Sequence, residues 1–299
     1  MLGLLLLNKP EGITSFGAVA RVKRLAGEKR VGHTGTLDPM ATGVLPILIG
    51  RATVFSQYLI DGDESYSATV RLGTVTDSGD ITGNILSQKE VTVDNVEILK
   101  TLNAFLGKQM QTPPMFSAIK QNGVRMYELA RRGESVEIPA REIEVFSLKQ
   151  TSTINDLHEF NIDTTVSKGT YIRSLCRDIG EKLGCGATLT RLIRTRTAGF
   201  GIDKCVNLDD LTPENIADYI LPCDMAVDYM PKITVSQKQA TRFCNGGALS
   251  LDRINYDFEN TAVYRVYFGE RFLGLGCADT TKNLLKIECL VNIECLVDR

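Results

Sequence analysis

Residues 31–46 read Val-Gly-His-Thr-Gly-Thr-Leu-Asp-Pro-Met-Ala-Thr-Gly-Val-Leu-Pro, a stretch that fits neither helical nor strand spacing. Its glycines and prolines predict a shaped loop, and loops held by rigid neighbours commonly carry chemistry. The loop contains one carboxylate, Asp38, and one imidazole, His33. Because Pro39 disfavours the helical conformation of the residue before it, the backbone of Asp38 is restricted, and so is the direction of its carboxylate.

Three interpretations of this loop are open on its residue types alone. An isolated Asp-Pro pair is commonly only a turn, since both are ordinary turn residues. A phosphate-binding loop is the second interpretation, although the Lys-Ser/Thr ending of a P-loop is absent. A metal site is the third. The chain has two histidines, His33 and His158, and no closely spaced cysteine pair, which argues against nitrogen or sulfur ligands.

Length and composition are those of a soluble globular protein. The 299 residues, 43% of them apolar, suit one large domain with a smaller one, or two domains. The apolar run from Leu4 to Leu7 is too short for a membrane span and has no basic region ahead of it, so we expect no membrane association and a cytoplasmic location. The eight cysteines all follow residue 175, a pattern that predicts reduced thiols.

The net charge of −2 conceals an uneven distribution. Residues 186–202 carry three arginines and no acid, whereas residues 203–230 carry seven acids and one lysine. A protein that is acidic on average would not be expected to bind nucleic acid over its whole surface. A local basic face is nevertheless sufficient for RNA binding.

Hydrophobic spacing predicts a mixture of helices and strands. Strands are predicted at 4–7, 66–72 and 160–166, and helices at 15–27, 91–107, 172–184 and 236–243. In the first helix Phe16 shares the apolar face with Val19 and Val22. In the third, Arg173 lies opposite the apolar stripe, where an arginine is normally exposed. Lys9, at the junction of the first strand and helix, is also expected to be solvated.

The loop from Gly32 to Gly43 closely resembles the signature loop of the TruB family of tRNA pseudouridine synthases, whose catalytic aspartate corresponds to Asp38. Residues 8–15, 168–175 and 184–192 resemble further motifs of that family. The resemblance covers residues 2–231 well and the remainder weakly. It implies an isomerase that converts the uridine at position 55 in the TΨC arm of tRNA to pseudouridine, with no cofactor or metal.

The family motifs also imply roles for other side chains. Tyr66 would stack on the target base and could help to remove the proton at C5. Arg173 would hold Asp38 ionised and aimed through the two parallel donors of its guanidinium, and Lys9 would have a supporting role. The substrate-binding side chains that the resemblance implies are His33, Tyr66, Tyr171 and Leu192.

The fold implied by the resemblance is α+β. Residues 1–231 would form a catalytic domain with a mixed, largely antiparallel sheet flanked by helices, and residues 112–141 an RNA-binding thumb. Residues 232–299 would form a small, β-rich, PUA-like RNA-binding domain. The T-arm stem-loop of tRNA would be bound by a monomer, with no protein partner or guide RNA. The cations expected to contact RNA are Lys120, Arg125, Arg131, Arg132, Arg191 and Arg194.

Two other functions fit the residues. A glycosidase that releases a base usually needs a second carboxylate as general acid, and none lies near Asp38 in sequence. A non-catalytic RNA-binding or tRNA-folding protein would use the same basic face. One feature has no functional explanation: the pentapeptide Ile-Glu-Cys-Leu-Val occurs at residues 287–291 and again at 293–297.

Overall fold

The computed structural model describes residues 1–59, 62–117, 120–121, 124–126, 132, 136 and 138–291. The helices with bounds in these ranges are α1 (Ser15–Leu25), α2 (Asn95–Asn103), α3 (Ile172–Lys182) and α4 (Gln237–Cys244). The strands are β1 (Gly3–Lys9), β2 (Val31–His33), β3 (Thr42–Ile49), β4 (Glu64–Leu72), β5 (Thr74–Thr76), β6 (Ile85–Gln88), β7 (Gly107–Gln111), β8 (Lys120–Gln121), β9 (Val124–Arg125), β10 (Arg141–Gln150), β11 (Glu159–Val166), β12 (Ala187–Thr197), β13 (Phe200–Gly201), β14 (Val206–Asn207), β15 (Lys232–Thr234), β16 (Leu249–Ser250), β17 (Val263–Phe268), β18 (Arg271–Asp279) and β19 (Leu284–Leu290).

A large mixed sheet forms the body of the molecule. Its strands follow the order β14-β1-β3-β12-β4-β11-β10-β7, with β2 paired to β3 and β13 to β12. The β1–β14 and β3–β12 pairs are parallel, and the other neighbours are antiparallel. The expected α+β fold with a largely antiparallel sheet is therefore confirmed.

Helix α1 begins where the sequence predicts and packs its middle residues on the sheet. The side chain of Thr14 accepts a hydrogen bond from the Gly17 amide, which caps the first turn. Ala18, Val19 and Val22 are buried. Phe16 is 76% exposed, so its assignment to the apolar face was wrong. Phe16 is not a member of the hydrophobic cluster that contains Ala18, Val19 and Val22.

Helix α2 is shorter than residues 91–107. Asp94 and Glu97 form a capping box that sets its first turn, and Ala104 ends it. Helix α3 has the predicted start and stops two residues before Gly184. The loop predicted over residues 31–46 is irregular only from 34 to 41, because its ends belong to β2 and β3. Edge residues of a shaped loop can join a neighbouring strand when their backbone groups find partners there.

A second, five-stranded sheet has the order β15-β17-β18-β19-β16 and begins at Lys232. The preceding acidic segment forms short 3-10 turns, and its Val206–Asn207 strand pairs with β1 of the large sheet. Leu275 and Val291 pack in one hydrophobic cluster with Leu4 and Phe55, which joins the two sheets. The division into domains at residue 231 remains a prediction.

Several expectations concern residues that lie partly or wholly outside this description. Part of the proposed thumb falls there, and so does the second copy of the pentapeptide at 293–297. The seven cysteines within the described ranges are free thiols. None of the helices in the described part of the chain is long and apolar enough to cross a membrane.

Candidate active site

The irregular part of the loop, residues 34–41, is fastened to the strand-turn-helix unit that precedes it. The Ser15 hydroxyl accepts from the Leu37 amide at 2.8 Å and donates to the Leu37 carbonyl at 3.0 Å. The Gly12 amide donates to the Pro39 carbonyl at 2.8 Å. These bonds hold the residues on both sides of Asp38, so the carboxylate is carried by a fixed backbone.

Lys9 also holds the loop in place. It is fully buried, so the prediction that it is solvated was wrong. Its ammonium donates to the carbonyls of Pro10 and Ile13 at 2.8 Å and of Pro39 at 3.3 Å. Burial lowers the pKa of Lys9 to about 8, an effect that the nearby Asp38 carboxylate partly opposes. Lys9 therefore acts within the structure as a link between the first turn and the loop.

Asp38 meets Arg173, the second residue of α3, and the structure thus brings together two residues 135 positions apart. The Nε of Arg173 lies 2.8 Å from Asp38 Oδ2 and 3.8 Å from Asp80 Oδ2. Arg173 is 4% exposed, whereas the Asp38 side chain remains partly open to solvent. One guanidinium thus stands between a reachable carboxylate and a buried one.

The prediction that Arg173 holds Asp38 through two parallel donors of its guanidinium is wrong. The two terminal nitrogens of the guanidinium donate to backbone carbonyls, Nη1 to Ser78 and Nη2 to Phe116, each at 2.8 Å. Only Nε faces Asp38, and its N–H is not aligned on an acceptor as a hydrogen bond requires. The contact with Asp38 is an ion pair. The two hydrogen bonds to the Ser78 and Phe116 carbonyls form a fork that holds the guanidinium in place. These distant carbonyls also explain why Arg173 is buried.

Asp80 is a residue of this site that sequence analysis missed. Its Oδ1 accepts from the Ser78 hydroxyl at 2.9 Å and from the Thr82 amide at 3.0 Å, within the turn between β5 and β6. A Thr-Asp-Ser-Gly-Asp turn is a common surface pattern, so nothing local marked it. The only available signal was its resemblance to an ordinary Asx-type turn, which does not predict a buried carboxylate.

The pKa of Asp38 is raised above its ordinary value. Burial of the carboxylate is the largest cause, and Arg173 opposes it through charge, whereas Asp80 adds to it. An aspartate in this position holds its proton to higher pH than an exposed one. The charge of Arg173 accordingly favours the ionised form of Asp38.

Tyr66 and Leu192 lie in the same hydrophobic cluster as Leu37, Met40 and Ala41 of the loop. Tyr66 is on β4 and Leu192 on β12, the strand that pairs with it. The strand predicted at residues 66–72 is present, and the alternating burial along it places Tyr66, Ala68 and Val70 on one face. The apolar wall beside Asp38 is therefore built from the loop itself and two adjacent strands.

Tyr171 precedes α3 and is held by two side chains from neighbouring strands. The Tyr171 amide donates to Gln111 Oε1 at 2.8 Å, and Gln111 Nε2 donates to the Tyr171 carbonyl at 3.2 Å. The Arg141 guanidinium lies 4.8 Å from the centre of the Tyr171 ring and donates to the Gly169 carbonyl. Its ring is thus fixed next to the start of the helix that carries Arg173.

His33 ends β2 where the irregular loop begins, opposite Ile47. Its Nδ1 is buried and has no hydrogen-bond partner within the part of the chain that the structure describes. Burial and the charge of Arg194 lower the pKa of His33, which favours the neutral imidazole at physiological pH. The structure places His33 at the loop without a direct contact to Asp38 among the described interactions.

Arg194 is not an RNA contact in this structure, contrary to the sequence prediction. It is 1% exposed, with its Nε 2.9 Å and its Nη2 2.7 Å from the Val44 carbonyl. Its Nη1 lies 3.3 Å from Glu64 Oε1. An arginine on a sheet alternates inward as readily as outward, and here backbone carbonyls of the loop satisfy its donors.

The other cations predicted to contact RNA differ in exposure and in how much of each residue the structure describes. Arg191 and Arg132 are exposed. Lys120 and Arg125 lie in the short strands β8 and β9, of which only the backbone is described, and Arg131 lies outside the described residues. Among the described residues, no group of three or more His, Cys, Asp or Glu side chains is arranged to hold a metal ion.

The sequence and the fold match known proteins along most of the chain. The model of the TruB family pseudouridylate synthase N-terminal domain matches residues 23–172, and that of the tRNA pseudouridylate synthase B C-terminal domain matches residues 173–228. The tRNA pseudouridine synthase B of Clostridium perfringens is 43% identical over 282 residues, covering 93% of this chain and 96% of that protein. That of Clostridium novyi is 42% identical over 292 residues, covering 97% and 100%.

Among solved structures, a chain in a Cbf5-Nop10-Gar1 complex superposes with a TM-score of 0.72 at 24% identity, covering 97% of this chain and 85% of that one. A chain in an archaeal box H/ACA sRNP Nop10-Cbf5 complex gives 0.70 at 25% identity, with coverage of 97% and 86%. These likenesses concern the fold. Two family models span residues 23–228 and the curated relatives match over nearly their full length, so this chain belongs to the TruB family of pseudouridylate synthases.

Proposed function

We propose that this chain converts the uridine at position 55 in the TΨC arm of tRNA to pseudouridine, with Asp38 as the catalytic residue. The observation that carries the proposal is the ion pair of 2.8 Å between a partly exposed Asp38 and a buried Arg173, beside an apolar wall that contains Tyr66 and Leu192. The relatives' names, tRNA pseudouridine synthase B, support tRNA as the substrate.

The reaction detaches uracil from C1′ of the ribose, turns it, and rejoins it through C5. A base in a stack cannot be reached, so the target uridine must first be flipped out of the T loop. Tyr66, Tyr171 and Leu192 would then flank the uracil, and His33 would support the displaced nucleotide. Stacking of a base on an aromatic ring contributes about 1 to 3 kcal/mol, which offsets part of the cost of unstacking.

Asp38 supplies the one reactive carboxylate that this reaction needs. In its ionised form it can attack C1′ or remove a proton from the sugar, and the released uracil stays in the pocket for the second bond. Arg173 favours the charged form of the carboxylate, because a guanidinium does not lose its proton in a protein. The fork to Ser78 and Phe116 keeps the guanidinium itself in place.

Other features of the proposal concern how tRNA is held. We infer that residues 112–141 act as a thumb on the T arm, with Lys120, Arg125, Arg131 and Arg132 toward RNA, and that residues 232–299 form a PUA-like RNA-binding domain. Arg191 is the member of the basic run on β12 that would contact phosphate. The protein would act in the cytoplasm as a monomer, without a guide RNA or a protein partner.

A base-releasing glycosidase is less well supported. Folding does bring a second carboxylate, Asp80, near Asp38, with Arg173 between the two. Asp80 is buried, however, and its Oδ1 accepts hydrogen bonds from the turn that contains it, while its Oδ2 faces Arg173. A general acid must present a proton to the leaving group, and Asp80 is not placed to reach a substrate.

The decisive experiment incubates an unmodified tRNA transcript with the purified protein and analyses the nucleosides after a chemical label specific for pseudouridine. We expect an isomer of uridine without mass change at position 55, and no product with a transcript that has cytidine there or with the Asp38→Asn variant. Free uracil would instead identify a glycosidase. Tight binding with neither product would identify a non-catalytic RNA-binding protein.

A further inference from the structure

Beneath the proposed uracil pocket lies a buried group of polar side chains centred on Glu64. Glu64 Oε2 accepts a hydrogen bond from the Tyr66 hydroxyl at 2.9 Å. Glu64 Oε1 lies 3.3 Å from both Arg194 Nη1 and the Thr197 hydroxyl. Glu64 and Tyr66 are two residues apart on β4, and therefore point to the same face of the sheet.

This group is tied to the signature loop as well as to the sheet. Arg194 Nη2 donates to the Gly35 carbonyl at 2.8 Å and to the Val44 carbonyl at 2.7 Å. A Cβ at residue 43 would lie 2.2 Å from the Arg194 carbonyl oxygen, so only glycine allows β3 and β12 to approach here. Glu64 thus links the tyrosine to the backbone on both sides of Asp38.

The direction of the Tyr66 hydroxyl follows from its partner. A carboxylate paired with an arginine only accepts hydrogen bonds, so the Tyr66 proton must point to Glu64. The oxygen of Tyr66 then keeps its lone pairs for another donor. Burial and the charge of Glu64 raise the pKa of Tyr66 well above its usual range, so Tyr66 is a neutral phenol and not a ready base.

The last step of the proposed reaction requires a proton to leave C5. After C5 has bonded to C1′, it still carries its hydrogen, and C6 is joined to N1 by a double bond. Loss of the C5 proton returns its electron pair to the ring as the C5–C6 double bond. The displaced pair goes to N1, which takes up one proton, so the step needs no oxidant or reductant.

We propose that Glu64 is a positioning residue for this step, which lets Tyr66 receive the C5 proton by accepting the proton of the Tyr66 hydroxyl. The inference rests on the proposed function. One proton passes from C5 to Tyr66 Oη as another passes from Tyr66 Oη to Glu64 Oε2. N1 takes a proton from water, and Glu64 returns its proton to the hydroxide that this leaves, so that Glu64 is a carboxylate again and no net proton is gained or lost. Arg194 stabilises the carboxylate before the transfer and holds it within reach of the tyrosine.

The test compares Glu64→Gln with the wild type in single-turnover reactions on two tRNA transcripts, one with ordinary uridine and one with 5-deuterated uridine. Glutamine keeps the shape of Glu64 but cannot take the proton. We expect pseudouridine formation to slow by about 100-fold, within the range of general acid–base effects. The deuterium isotope effect should exceed that of the wild type, because C5 deprotonation becomes rate-limiting.

The matched control is Glu159→Gln, which also breaks a glutamate–arginine pair on this sheet, that of Glu159 with Arg71 at 2.7 Å. It should leave the isotope effect as in the wild type. In a Tyr66→Phe background, Glu64→Gln should cause no further loss, since the two residues act as a unit. A Glu64→Gln variant that is slower without a larger isotope effect, or is not slower, would overturn the inference.

If Glu64→Gln does not fold, the same measurements are made on Glu64→Asp. This variant keeps the carboxylate but shortens the side chain by one methylene group. We expect a rate below that of the wild type and again a larger isotope effect, and wild-type values for both would contradict the proposal. Wild-type protein that forms no pseudouridine would refute the proposed function itself. Active wild-type protein with an unaltered isotope effect in the variants would refute only the role of Glu64.

Discussion

Arg173 combines a structural and an electrostatic task in one side chain. Its terminal nitrogens donate hydrogen bonds to the carbonyls of Ser78 and Phe116. These backbone groups lie far away in the chain, and they set the position of the Nε that faces Asp38. Breaking a buried ion pair by removing one partner costs about 3 to 5 kcal/mol, because the remaining charge is left without compensation. A lysine would keep the charge here but lose the fork.

Arg173→Lys should therefore lower pseudouridine formation strongly and tRNA affinity much less. The pKa of Asp38 should rise further when its cation is less well placed, since the pairing with Arg173 lowers it. The acid limb of the rate–pH profile should accordingly move to higher pH. Single-turnover rates between pH 5 and 9 measure this. Wild-type turnover would show that the pairing is dispensable, and an equal loss of binding would make Arg173 a phosphate contact.

Asp80→Asn should move the same limb in the opposite direction. The negative charge of Asp80 raises the pKa of Asp38, so its removal lets Asp38 ionise at lower pH. Asparagine keeps the acceptor oxygen for the Ser78 hydroxyl and the Thr82 amide. Asp77→Asn is a suitable control, because Asp77 caps the same turn through Asn84. A shift to higher pH, or none, would contradict the assigned electrostatic effect.

The signature loop is rigid because the elements beside it contribute buried donors. Lys9 at the end of β1 and Ser15 at the start of α1 hold the loop at Pro39 and Leu37. The sequence correctly predicted the strand and the helix here from their hydrophobic spacing. It could not predict that Lys9 turns inward, because the carbonyls that it binds converge only when the loop folds back.

The stability of this arrangement should depend on pH through Lys9. Its pKa is about 8 in the folded protein and 10.5 when unperturbed, so folding disfavours the bound proton. Between these values the unfolded chain binds more protons, and the folded state gains stability as pH rises. The free energy of unfolding of the wild type should therefore increase relative to Lys9→Met from about pH 8 to pH 10.5.

Denaturant unfolding at several pH values tests this expectation. Lys89→Met is the matched control, because Lys89 also donates to a carbonyl, that of Gly184, but from an exposed position. Its difference from the wild type should not change with pH in the same way. A constant difference for Lys9→Met would show that Lys9 is protonated at the same pH in the folded and unfolded chain.

Over the whole molecule, hydrophobic spacing predicted the helices and strands, whereas tertiary contacts determined which charged side chains are buried. Alternation along β4 and helical spacing along α3 gave the sheet and helix that flank the site. Arg194 and Arg191 belong to the same basic run, yet Arg194 is buried and Arg191 is exposed. The Val44 carbonyl, 150 residues earlier in the chain, and the Glu64 carboxylate bind Arg194 and distinguish it from Arg191.

This difference sharpens the prediction for RNA binding. Because phosphate contacts release counterions, the affinity for tRNA should fall with salt on a log–log plot by roughly 0.7 to 0.9 per neutralised phosphate. Replacing both Arg132 and Arg191 by glutamine should reduce the slope by about 1.4 to 1.8 if each meets one phosphate. Lys286→Gln should leave the slope unchanged, since Lys286 is already paired with Asp279 at 2.6 Å. An unchanged slope in the double variant would mean that both arginines are solvated and that tRNA binds another surface.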